Sequence, residues 1–158
     1  MNRLMAFIAF NSTFAFLTLL GAESQSILIL YDNTSARPDL TSDWGFAAQV
    51  IYRGHNILFD AGTKPEVMAA NMKALGVDPS AFELGVFSHP HQDHLGGLPA
   101  ITQSRPNLPV YYLETFPAAA FTTAERHGAK PVRVTDSRQV APGIYTTGVV
   151  TGQPSEQG

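Results

Sequence analysis

Leu84-Gly85-Val86-Phe87-Ser88-His89-Pro90-His91-Gln92-Asp93-His94-Leu95-Gly96-Gly97-Leu98 is the stretch from which the rest of this chain is read. Three of the chain's 5 histidines crowd into the six residues from His89 to His94, together with a carboxylate. Imidazole and carboxylate are the usual ligands of a borderline-soft divalent ion such as zinc, and scattered surface histidines have no reason to gather at spacings of two and three. The apolar run Leu84 to Ser88 predicts a short buried strand, so the candidate ligands stand where that strand ends. In extended chain, residues two apart face the same side, which lets His89 and His91 share one metal. Pro90 between them has no N–H to donate and helps end strand pairing. As the chain turns, Asp93 and His94 can face a second position, and two metals about 3.5 to 4 Å apart can share a bridging hydroxide. A surface histidine tag would lack the flanking strand and glycines.

The whole chain sets bounds on this reading. Its 158 residues leave room for one domain, and 44% hydrophobic with 15% charged residues is globular rather than disordered composition. A formal net charge of -3 without any basic cluster excludes an electrostatic case for nucleic acid or an anionic membrane surface and points to a small-molecule substrate. With no cysteine, neither disulfides nor thiolate zinc sites are available, so a metal must be held by histidine, carboxylate and water.

Residues 1–24 differ from the rest. Arg3 precedes a largely apolar run from Leu4 to Leu20, and Ala22-Glu23-Ser24 fits a small-x-small cleavage region. The expectation is a secretory signal peptide over 1–24, with an uncleaved anchor as the alternative, and a periplasmic or secreted mature chain from residue 25 to 158. Asn11, Ser12 and Thr13 interrupt the apolar run, so no stable membrane span is expected.

Beyond the leader, Ser26 to Tyr31 predicts a first strand and Asp32 to Asp43 a loop. Trp44 to Arg53 and Asn56 to Asp60 predict two strands joined by a hairpin turn at Gly54-His55, which makes His55 an exposed turn residue. Thr63 is the expected N-cap of a helix with Pro65 and Glu66 in its first turn and Gly76 past its end, whose Met68, Met72 and Leu75 form a core face. A helix with Pro99 in its first turn is expected to follow the metal-site strand and run to about Ser104. Val110 to Leu113 then predicts a strand, and Phe116 to His127 a helix ended by Gly128, with His127 placed to interact with the helix dipole rather than a metal. Short strands near Val132 to Val134 and Ile144 to Val150 complete the reading.

The hexapeptide preceded by Phe87-Ser88 and followed by Leu95-Gly96-Gly97-Leu98, together with the earlier Ile57-Leu58-Phe59-Asp60-Ala61-Gly62, resembles the metallo-β-lactamase superfamily. Tyr31-Asp32-Asn33-Thr34, Trp44-Gly45-Phe46 and Pro142 to Gly148 resemble its branch similar to dihydropterin ribofuranosylaminobenzene phosphate synthases. The resemblance runs from about Ser26 to the end. It implies an α/β (α+β) fold, the four-layer αββα sandwich in which two sheets pack between outer helices, here as its N-terminal portion. It makes His89 and His91 ligands of a first metal, Asp93 and His94 ligands of a second, and Asp60 the supporting carboxylate beneath them. Zinc is the expected ion, two in the complete family site, with iron or manganese also compatible.

The same resemblance calls for a third histidine, a bridging aspartate and a last histidine further along, and the chain stops before them. The expectation is therefore an incomplete domain over 25–158, with apolar sheet surface left to self-association. The function expected is a metal-dependent hydrolase or transferase in which the metals lower the pKa of a bound water toward about 7 and Asp93 holds that nucleophile in place. The alternative is a non-catalytic metal-binding fragment or interaction protein.

Overall fold

Antiparallel pairing gives way to parallel pairing in the middle of one sheet, and that change places the candidate site. The computed structural model describes residues 25–35 and 37–150. Strands β1 (Ser26–Tyr31), β2 (Ala47–Tyr52), β3 (His55–Phe59), β4 (Leu84–Val86), β5 (Pro109–Leu113) and β6 (Lys130–Val134) form a six-stranded sheet in chain order. β1, β2 and β3 pair antiparallel, and β3 through β6 run parallel. Parallel neighbours need crossovers, which helices α1 (Pro65–Leu75), α3 (Pro99–Thr102) and α4 (Ala118–Arg126) supply, with the single turn α2 (Gln92–Leu95) ahead of α3. Strands β7 (Asp136–Ala141) and β8 (Ile144–Gly148) make a separate two-stranded sheet. β6 carries Pro131 at the sheet's outer edge, where the missing N–H costs no ladder bond.

Strand alternation divides the apolar residues between the two faces of the large sheet. Leu30, Leu58, Val110 and Tyr112 pack with Met68 and Met72 of α1, Ile101 of α3 and Phe121 of α4 in one cluster. The opposite face sends Ile57, Leu84 and Tyr111 against Ala141, Val140 and Ile144 of the ribbon. Helices, six-stranded sheet and ribbon are thus three successive layers of the metallo-β-lactamase-like architecture anticipated above. The mixed sheet and its helices follow the expected α/β class. Residues 1–24, including the expected signal peptide, lie outside the described residues, and among the described ones no helix is long and apolar enough to cross a membrane.

Several local expectations need correction. The hairpin turn is Arg53-Gly54, with φ of 49° and 77°, because a two-residue turn with both φ positive matches the twist of the flanking strands. His55 consequently opens β3, half-buried, instead of standing free in a turn. β2 begins at Ala47 rather than Trp44, since Phe46 spends its N–H on the carbonyl of Asp93. Lys64, whose side chain does not cap the helix, occupies the N-cap of α1, because the Thr63 hydroxyl donates to the Trp44 carbonyl. The helix expected with Pro99 in its first turn is present as the short α3, and the ligand segment adds a turn not expected, α2, ahead of Gly96-Gly97. β7 was missed because its exposed, polar Asp136 to Gln139 carries no apolar alternation; pairing with β8 makes it a strand.

Candidate metal centre

The parallel register opposes Phe59 to Val86, so β3 and β4 end level and hand their next residues to the same rim. Asp60 follows β3 there. Its N–H donates to the Val86 carbonyl at 3.1 Å, and its φ of 54° puts it in the left-handed region that a short polar side chain tolerates better than most. Its carboxylate, only 1% exposed, faces the start of the hexapeptide. Oδ1 accepts the Ser88 N–H at 2.8 Å, and Oδ2 accepts both the Ser88 hydroxyl at 2.7 Å and His94 Nδ1 at 2.7 Å.

These bonds assign two imidazole tautomers. An acceptor carboxylate on His94 Nδ1 keeps the proton there and leaves Nε2 with its lone pair free. The Ser88 hydroxyl spends its hydrogen on Asp60, so its oxygen accepts from His89 Nδ1, 2.9 Å away. His89 Nε2 is thereby left as an acceptor as well. One buried carboxylate orients both rings, directly at His94 and through Ser88 at His89.

The ligand segment is also tied by its backbone. Ala61 N–H donates to the His94 carbonyl at 2.7 Å, Phe46 N–H to the Asp93 carbonyl at 3.2 Å, Gly62 N–H to the Phe46 carbonyl at 2.8 Å and Gly97 N–H to the Gly62 carbonyl at 3.0 Å. Residues 44–46, 60–63 and 93–97 are interlocked. Gly45, at φ 134°, lies so close to Asp93 that a Cβ would overlap its carbonyl oxygen.

Within this frame the ring centroids of His89 and His91 are 4.7 Å apart, and those of His89 and His94 3.9 Å. His89, His91 and Asp93 each offer one donor atom, all within 4.8 Å of one another. His94 Nε2 stands 3.5 Å from Asp93 Oδ2. Burial, and then the neighbouring His94 and His91, hold the His89 imidazole below its ordinary pKa, which favours the neutral, metal-binding form. Two imidazoles and a carboxylate, with free nitrogen lone pairs and no thiol in the chain, fit a divalent ion such as zinc.

All of the residues anticipated from the sequence, His89, His91, Asp93, His94 and Asp60, meet at this rim. His127 does not join them; it is the C-cap residue of α4 and lines a cleft of about 270 Å³ behind the ligand segment, with Pro90, Gln92 and Tyr112. Sequence reading missed the work of Ser88, although its place directly before His89 was a signal, and the part played by Gly45 and Phe46, which carry no metal-ligand chemistry of their own.

Comparison with known proteins agrees with this geometry. Residues 43–151 match the family described as the metallo-beta-lactamase superfamily. Over 112 residues, 60% of this chain and 38% of the relative, the chain is 29% identical to the 7,8-dihydropterin-6-methyl-4-(beta-D-ribofuranosyl)-aminobenzene-5'-phosphate synthase of Methanocaldococcus jannaschii. Among solved structures, a diphosphatase of the PhnP family aligns with a TM-score of 0.52 at 17% identity, over 72% of this chain and 52% of that one. An N-acyl homoserine lactone hydrolase aligns with a TM-score of 0.50 at 16% identity, over 78% and 64%. The matches span less than two thirds of each of these relatives, and the structural likeness speaks for the fold.

Proposed function

Since the chain belongs to the metallo-beta-lactamase superfamily, we propose that it carries the metal-binding part of a hydrolase or transferase acting on a small molecule. The observation that carries this reading is the mutual approach, within 4.8 Å, of donor atoms from His89, His91 and Asp93. His94, its Nδ1 held by Asp60, completes the set of proposed ligands. Zinc bound by these residues would supply Lewis-acid polarisation and a water acidified toward pH about 7.

The protein's own residues do the positioning. Asp60 and Ser88 engage the Nδ1 atoms of His94 and His89, so Nε2 is the nitrogen that each ring has left to bind a metal. Phe46 and Ala61 fix the carbonyls of Asp93 and His94, and the carboxylate of Asp93 lies beside the imidazoles of His89 and His91, where it can accept a proton from a hydroxylic nucleophile. The dihydropterin synthase relative supports a substrate with a flat heterocyclic part over a simple ester.

Zinc content and affinity of the purified chain, beside a variant with His89→Ala and His91→Ala, test the proposal. Histidine-dependent binding, reduced at least about tenfold in the variant, is expected. Equal zinc in the two proteins would remove the proposal's basis.

A further inference from the structure

Trp44 is 68% exposed, yet it sits on one of the most constrained turns of the molecule. The Thr63 hydroxyl donates to its carbonyl. The Asp43 carboxylate before it accepts from the Tyr31 hydroxyl at 2.8 Å and pairs with Lys64 Nζ at 2.9 Å. After it, Gly45 N–H donates to Asn33 Oδ1 at 2.8 Å, and Phe46 N–H reaches the Asp93 carbonyl at 3.2 Å. Single exposed apolar residues are ordinary, and Ile27, Tyr145 and Val150 belong to that class. Trp44 differs from them in its attachment. Its backbone is one residue from Gly45, whose α-carbon packs on the carbonyl of a proposed ligand, so the turn that bears the indole is anchored to the ligand segment. The neighbouring charges, Lys64 and Asp43, neutralise each other. Recognition at this turn therefore falls to the aromatic face, carried on a backbone that is already anchored and has little freedom left to lose on stacking.

We propose that Trp44 is a stacking wall for a planar, conjugated part of the substrate whose reacting group lies at His89, His91 and Asp93. The orientation of that substrate rests on the metal-site reading; the stacking itself does not. The chemical class is a neutral fused heterocycle or aryl ring.

Trp44 is the only tryptophan of the chain, so emission excited selectively at tryptophan, beyond the absorption of the 5 tyrosines, reports on this residue alone. The probe is pterin, added to the full chain with zinc present. Saturable quenching of the emission is expected. By equilibrium dialysis, Trp44→Leu should weaken pterin binding about tenfold and Trp44→Phe should restore most of it, the range expected for loss and recovery of one aromatic stack. Zinc content and far-ultraviolet circular dichroism should be the same in all three proteins. Unsaturable quenching, or a leucine variant that binds pterin as the parent does, overturns the proposal. Histidine-dependent zinc binding with pterin binding indifferent to Trp44 would sink the stacking wall alone. Trp44-dependent pterin binding in a chain that takes up no zinc would sustain it while sinking the metal reading.

Discussion

The two ends of the parallel β3/β4 pair are closed by the same device, a carboxylate that bridges both strands, but the two carboxylates live in different surroundings. At the starting rim, Glu83, just before β4, accepts the Asn56 N–H at 3.1 Å and meets His55 Nδ1 at 2.8 Å. Its side chain is 46% exposed. At the finishing rim, Asp60, 1% exposed and in the left-handed region, accepts three bonds from Ser88 and His94. A strand clasp needs neither burial nor an unusual φ, as Glu83 demonstrates. The extra constraints at Asp60 follow from its second task, holding imidazoles.

Removing the buried clasp should have the largest effect. Asp60→Ala strands the Ser88 N–H and the His94 Nδ1–H without partners, at an expected stability loss of about 2 to 4 kcal/mol in urea unfolding, and zinc affinity should fall about 10- to 100-fold. A variant as stable as the parent would erase the contrast between the rims. Ser88→Ala comes next. It keeps Asp60 on His94 but cuts the relay to His89, so zinc affinity should fall about tenfold, near the lower end of the range for such supporting groups. No change would mean that Ser88 does not set the His89 tautomer.

Glu83→Gln should matter least, below about 1 kcal/mol at neutral pH, because the clasp is partly solvated. Its signature is in pH. The hydrogen bond from His55, and then that from Asn56, hold the Glu83 carboxyl below the ordinary glutamate pKa of 4.5. A depressed folded-state pKa stabilises above the unfolded value, and that contribution is lost as pH falls through the depressed one. The small stability gap between parent and Glu83→Gln should therefore close as pH is lowered from about 5 through the acid range. A gap that widens in acid would contradict the assignment.

Much of this arrangement was legible in the sequence. The bounds of β1 followed from an uninterrupted apolar run, the core face of α1 from Met68 and Met72 at helical spacing, and the ligand segment from residue types that have few other reasons to cluster. Asp60 was named through its motif, but neither its left-handed backbone nor its three bonds could be read, because both arise from the level ending of two strands distant in sequence. Ser88, Gly45 and Phe46 stood within quoted motifs, but their tasks could not be read for a related reason: each acts through a backbone group or a hydroxyl whose partner is set only by tertiary packing. The ribbon strand β7 was illegible because Asp136-Ser137-Arg138-Gln139 has no apolar pattern and owes its form to β8.

The contact between Gly45 and Asp93 has a consequence for how this chain can vary. Thr41 and Ser42, both exposed, can drift freely. Position 45 has no such latitude: any Cβ there meets the Asp93 carbonyl, and φ 134° is closed to ordinary L residues. In a library selected for folding, the tolerance profile should therefore fall to a single permitted residue at 45 and be wide at Thr41 and Ser42, marking from mutational data alone a point where a distant loop touches the ligand segment.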